Sequence, residues 1–99
     1  MVDYVKINQV RVVYNNTPAP NSFFVPEDVG TGSVFTFRAY GEVGQSVEVR
    51  GGFPDDVWED MEWICTLTVG GTQAAVEQLP WPVMAINGSA TLKIARGNA

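Results

Sequence analysis

An Asn-Gly pair set between two alternating apolar runs constrains this chain more than any other feature. Asn87-Gly88 divides Trp81-Pro82-Val83-Met84-Ala85-Ile86 from Ser89-Ala90-Thr91-Leu92-Lys93-Ile94. Both turn residues tolerate positive φ, so the spacing predicts a two-residue hairpin. That register sets Ile86 against Ser89, Ala85 against Ala90, Val83 against Leu92 and Trp81 against Ile94. Side chains alternate across a strand, which puts Trp81, Val83, Ala85, Ala90, Leu92 and Ile94 on one buried face. Met84, Ile86, Thr91 and Lys93 fall on the opposite face.

Two further hairpins are expected on the same logic. Phe35, Phe37 and Ala39 alternate against Val47 and Val49, with Glu42-Val43-Gly44 as a three-residue loop whose glycine takes the left-handed position. Met61, Trp63, Cys65, Leu67 and Val69 also alternate, and a Gly70-Gly71 turn sets Leu67 against Ala74 and Cys65 against Val76. Pro80 and Pro82 end the returning strand, because proline cannot donate to a ladder. Upstream, Tyr4 to Tyr14 reads as strand, with Val5 and Ile7 on one parity and Val10, Val12 and Tyr14 on the other. The slip predicts a bulge or break at Asn8-Gln9, and a break would free residues 1–8 as an N-terminal arm able to add a strand to a neighbour's sheet. Residues 15–22 read as loop. Phe23-Phe24-Val25 is a short apolar island that either closes a sheet or faces a partner.

Apolar residues recur at helical period only in one turn around Trp58 to Glu62. Three hairpins preceded by one or two strands imply a single all-β domain over residues 1–99. The expected architecture is an antiparallel β-sandwich of jelly-roll type with seven or eight strands.

The chemistry of the side chains excludes more than it offers. With no histidine among 99 residues, the commonest general base and transition-metal ligand is missing, and no Ser-His-Asp or Cys-His site can form within the chain. The lone Cys65 cannot bridge internally and is expected to pack as a small hydrophobe. Eleven acids against six bases leave a charge of −5, the wrong sign for a nucleic-acid binder. No run reaches the length of a membrane span and no basic, apolar leader precedes the domain, so synthesis in a cytoplasm is expected. Catalysis, a cofactor and a bound metal are not expected.

Five of the eleven acids lie between Asp55 and Glu62, in the connection that begins at Gly51-Gly52-Phe53. Such a loop can be plainly solvated, can supply oxygen ligands to calcium, or can stand beside Trp58 as a carbohydrate platform. Its spacing lacks the alternating Asp pattern and glycine of an EF-hand loop.

From Ser33 onward the order of features resembles small all-β virion proteins of tailed bacteriophages. The resemblance rests on Val47-Glu48-Val49-Arg50-Gly51 leading to the acidic, tryptophan-bearing Asp55-Asp56-Val57-Trp58, and then on Leu67-Thr68-Val69 with its Gly/Thr turn. It continues through Leu79-Pro80-Trp81-Pro82 into Gly88-Ser89-Ala90-Thr91-Leu92. The chain departs from the pattern in carrying Pro54-Asp55-Asp56 where Asp-Gly is usual, and Met84-Ala85-Ile86 where an arginine is usual. The resemblance implies a non-enzymatic capsid decoration or cement protein, made in the host cytoplasm and residing in the virion. It would bind the major capsid protein or other virion subunits, as a homo-oligomer with a trimer favoured. Phe23, Phe24, Met84, Ile86 and Trp58 are the expected partner-binding residues. The alternatives are a carbohydrate-binding β-sandwich module, or a tail, fibre or adaptor subunit.

Overall fold

A computed structural model describes residues 10–18, 22–24, 33–79 and 81–97. Within it the chain forms β1 (Val10–Asn16), β2 (Ser22–Phe24), β3 (Ser33–Tyr40), β4 (Ser46–Gly52), β5 (Glu62–Thr68), β6 (Ala74–Leu79), β7 (Val83–Gly88) and β8 (Thr91–Gly97). The one helical piece among the described residues is a 3-10 turn at Trp58–Asp60. The strands make two four-stranded antiparallel sheets, in the orders β1-β8-β3-β6 and β2-β7-β4-β5.

These orders are nested. β4 pairs with β5, β3 with β6, β2 with β7 and β1 with β8, so the chain is one long double ribbon folded back on itself at the β4–β5 connection. Rolling that ribbon adds the β3–β8 and β4–β7 pairings and closes the jelly roll.

The three short turns expected from sequence are therefore corners that carry the chain from one sheet to the other. Glycine serves them as it would a hairpin, since Gly44 takes φ +96° within a Glu42-to-Gln45 turn. At Gly88 an added Cβ would lie 2.3 Å from the Ser46 carbonyl oxygen, so the corner needs glycine for close backbone approach. The Ser46 carbonyl also accepts from the amides of Ser89 at 2.8 Å and Ala90 at 3.1 Å. Among the described residues the one hairpin between consecutive strands is β4–β5, where the sequence predicts a long loop.

At two of the corners, β5–β6 and β7–β8, the crossing reverses the parity expected for one adjoining strand, β6 and β7. In β7, Met84 and Ile86 point into the space between the sheets and are fully buried, at 0% exposure. This corrects their assignment as outward-facing partner-binding residues. Val83 and Ala85 face the other way, where Met61 and the half-buried Trp58 cover them. In β6, Ala75 and Leu79 pack inward while Val76 stands out, the reverse of the Cys65-to-Val76 match. Gln73 is used in the crossing, its carbonyl accepting from the Ala39 amide at 2.8 Å.

The main core joins Phe35, Phe37, Ala39, Leu92 and Ile94 of one sheet to Val47, Val49, Cys65, Leu67, Met84 and Ile86 of the other. Phe35, Phe37, Ala39, Val47, Val49, Leu92 and Ile94 thus lie where the alternation puts them. Val47 and Val49 face Phe37 and Ala39 across the core rather than alongside them in a ladder, because β3 and β4 belong to different sheets. Two bulges complete the corrections. Register slips between Val12 and Tyr14 against β8, leaving Val12 exposed while Tyr14 packs on the core. It slips again where Val49 meets Cys65 but Arg50 meets Trp63, which inserts Ile64 into the core and turns Trp63 out at 61% exposure. The Asn8-Gln9 slip and the arm at residues 1–8 lie outside the described residues.

Ile86 is enclosed by both sheets, so Ile86→Ala leaves a cavity and is expected to cost about 2–5 kcal/mol in a urea melt. A loss under about 0.5 kcal/mol would put the side chain outside the core.

Candidate functional site

Each sheet has two edges, and β5 and β6, one edge from each sheet, lie on the same side of the sandwich. Between them opens a cleft of about 220 Å³ lined by Glu62, Trp63, Ile64, Glu77, Gln78, Leu79 and Trp81. Local sequence explains each wall. The Ile64 bulge turns Trp63 outward, and its indole N–H donates to Thr66 Oγ1 at 2.8 Å, which holds the ring along the strand. Trp81 reaches over Gly51, where a Cβ would come within 2.4 Å of the indole, and it meets Phe53 edge-on at 6.0 Å between ring centroids. Glu77 follows the inward parity of β6 between Ala75 and Leu79, so its carboxylate enters the cleft from the inner side.

Cys65 lies just behind this wall. Burial, and then the negative charge of Glu77, push its thiol up to about 12. The thiol is buried and free, in keeping with its expected role as a packing group.

The acidic hairpin turn is a built structure of a different kind. Arg50 on β4 ties it down, with its guanidinium over the Trp58 ring at 4.3 Å, its Nη1 donating to the Trp58 carbonyl at 2.8 Å and its Nε donating to Glu48 at 2.5 Å. Asp56 accepts from the Phe53 amide at 2.8 Å and so serves the turn itself. Among the described residues, no three acidic or cysteine side chains converge as a metal site would require.

The expected partner-binding residues are thus dispersed. Met84 and Ile86 are in the core, and Trp58 is half-buried with one face under Arg50 and its body against Met61, Val83 and Ala85. Phe23 and Phe24 lie on β2, where their backbones pair with Ala85 and Met84; their side chains lie outside the described residues. The surface groups that do come together are Trp63, Trp81, Glu62, Glu77 and Gln78. Strict alternation concealed them, since it assigned Trp63 and Trp81 to core faces. In the sequence the only hint was Ile64 between Trp63 and Cys65, a third large apolar residue that a strictly alternating strand would leave on the polar face.

In comparisons with known proteins, no family model matches the chain, and neither a curated protein nor a solved structure matches it. The fold defines the class: an all-β antiparallel sandwich with jelly-roll strand order, eight strands among the described residues.

The Cys65 thiol makes the fold sensitive to alkali. The unfolded chain loses this proton near pH 9.0 and the folded chain only near 12, so deprotonation between those values favours unfolding. Stability is expected to be flat in this group below about pH 8 and to fall as pH rises above 9. Burial raises the Tyr14 phenol as well, which adds a loss above pH 10. Thermal melts from pH 7 to 10.5 should show a weaker decline in Cys65→Ala than in the parent, and equal slopes would contradict the assignment.

Proposed function

We propose that this protein is a non-enzymatic virion subunit, a decoration protein that docks on the outer surface of a bacteriophage capsid through its β5–β6 side. The observation that carries the reading is the condition of the two edges. Among the described residues β5 has β4 as its one strand neighbour and β6 has β3, so each stands at the edge of its sheet. Such edges recruit further strands unless charge, proline or twist blocks them. Here two large apolar side chains stand exposed on the edge strands, Trp63 at 61% and Val76 at 65%, alongside the carboxylates of Glu62 and Glu77. Apolar side chains beside open ladders suit a protein whose work is to bind across a seam between subunits. The jelly roll and the lack of any histidine support the same reading.

A second reading, a carbohydrate-binding module, is favoured by one observation, the exposed Trp63 ring beside a cleft with carboxylate and amide groups. Its platform would be Trp63 rather than Trp58, whose face Arg50 occupies.

The test is co-sedimentation of the recombinant chain with heads of the phage that encodes it. Saturable binding at a fixed ratio to the capsid protein is expected, with a trimeric mass in solution or on the capsid. The double variant Trp63→Asp, Val76→Asp should keep its melting temperature within a few degrees, since both side chains are exposed, and should bind at least tenfold more weakly. Undiminished binding by that variant would overturn the assigned surface, and no binding by the parent would overturn the function.

A further inference from the structure

We infer that the cleft between β5 and β6 is a receptor for a single arginine side chain presented by a protein partner. Two indoles, Trp63 and Trp81, and two carboxylates, Glu62 and Glu77, line it together with the Gln78 amide. Among the described residues neither glutamate has a hydrogen bond or an ion pair, and Glu77 is half-buried. Carboxylates without an ion-pair partner are free to accept charge-assisted hydrogen bonds from an incoming cation. Glu77 lies close enough to the interior for its charge to bear on the buried Cys65 thiol, so it is not simply a solvated surface acid.

The molecule contains an internal precedent for the occupant. At the acidic turn, Arg50 stacks on the Trp58 ring at 4.3 Å and pairs with Glu48. The cleft repeats the tryptophan and the glutamate without the arginine. A guanidinium is the cation that best meets both requirements, because it is planar, stacks on an indole face and bonds a carboxylate with two parallel N–H groups. Lysine offers a compact, strongly hydrated charge that gains less from the indole walls. The cleft of about 220 Å³ has room for such a head group. The Trp63 indole N–H is already given to Thr66, so this ring offers its face rather than its donor.

The inference deepens the partner-binding reading and takes from it the idea that the arginine belongs to a protein. A segment laid along the open β5 or β6 edge would place alternate side chains over the cleft, and one of them would be the arginine.

The experiment has two arms. In the first, the labelled domain is titrated with Nα-acetyl-arginine amide, its neutral norleucine counterpart and cellotriose, followed by amide and indole resonances. Arginine amide is expected to shift the Trp63 and Trp81 indole signals and the amides of Glu77 and Gln78 saturably, with millimolar affinity. The norleucine compound should do so at least fivefold more weakly. Glu62→Gln with Glu77→Gln should weaken arginine binding at least fivefold, more so at low salt than at high salt. Trp63→Ala, a change at an exposed position, should weaken it without altering the melt. Equal shifts from the neutral compound, or unchanged binding by the double glutamine variant, would overturn the proposal. Saturation by cellotriose at these same resonances, in place of arginine, would make the cleft a glycan site and also overturn it. In the second arm the double glutamine variant is tested on capsids. Arginine binding without capsid binding by the parent would leave the cleft assigned and remove the virion partner. Capsid binding unaffected by the loss of both carboxylates would remove the arginine as the contact while keeping the virion reading.

Discussion

The pairing of β4 with β5 around the acidic turn is the contact on which the rest of the sandwich depends. Among the described residues it is the one pair formed by consecutive strands, and every other pair in the nest encloses it: β3 with β6, β2 with β7, β1 with β8. Closing a loop costs entropy that grows with its length, so each outer pair becomes affordable only once the inner one has brought its strands near. The turn is secured accordingly. Arg50 stacks on Trp58, bonds its carbonyl and pairs with Glu48, while Asp56 caps Phe53. Trp58 then lies against Met61, Val83 and Ala85 and seals the outer side of β7. Five carboxylates fall between Asp55 and Glu62 in this connection, and Arg50 is a cation bonded to its backbone at Trp58.

This organisation explains which parts of the fold were legible in the residues. Period-two alternation identified strands correctly wherever a strand was unbroken, and Phe35, Phe37, Val47, Val49, Leu92 and Ile94 are all buried as it requires. What alternation cannot convey is whether a glycine-bearing turn returns the chain to a neighbour in the ladder or carries it across to the facing sheet. Asn87-Gly88 has the chemistry for either, and the difference lies in tertiary contacts such as the close approach of Gly88 to Ser46. The consequence was a parity error of one residue in β7 and β6, which moved Met84 and Ile86 from core to surface and Val76 the other way. The acidic connection does not read as a hairpin because it is long and polar, yet it is tied down by Arg50, a residue of the strand that leads into it, eight positions before Trp58.

The cleft was hidden for a related reason. Trp63 looks like a core residue in an alternating strand, and only the inserted Ile64 gives the core its side chain while releasing the tryptophan to the surface. Bulges of this kind commonly re-aim a side chain at an edge or a site. Here the re-aimed ring lies beside Glu62 and across from Glu77 and Trp81, so one extra residue creates an apolar and acidic cleft at the junction of two open edges. On the proposed reading, the two sheets wall the cleft and their edge strands offer the backbone groups that an extended segment of another protein would meet.

The central claim, that the β5–β6 side is the docking surface, is tested most directly by amide hydrogen exchange on the protein free and bound to capsids. The account predicts new protection along Glu62–Thr68 and Ala74–Leu79 on binding, with exchange unchanged at β1 and at the 41–45 and 88–90 corners. Protection appearing instead at those corners or along β1, with β5 and β6 exchanging as in the free protein, would contradict it.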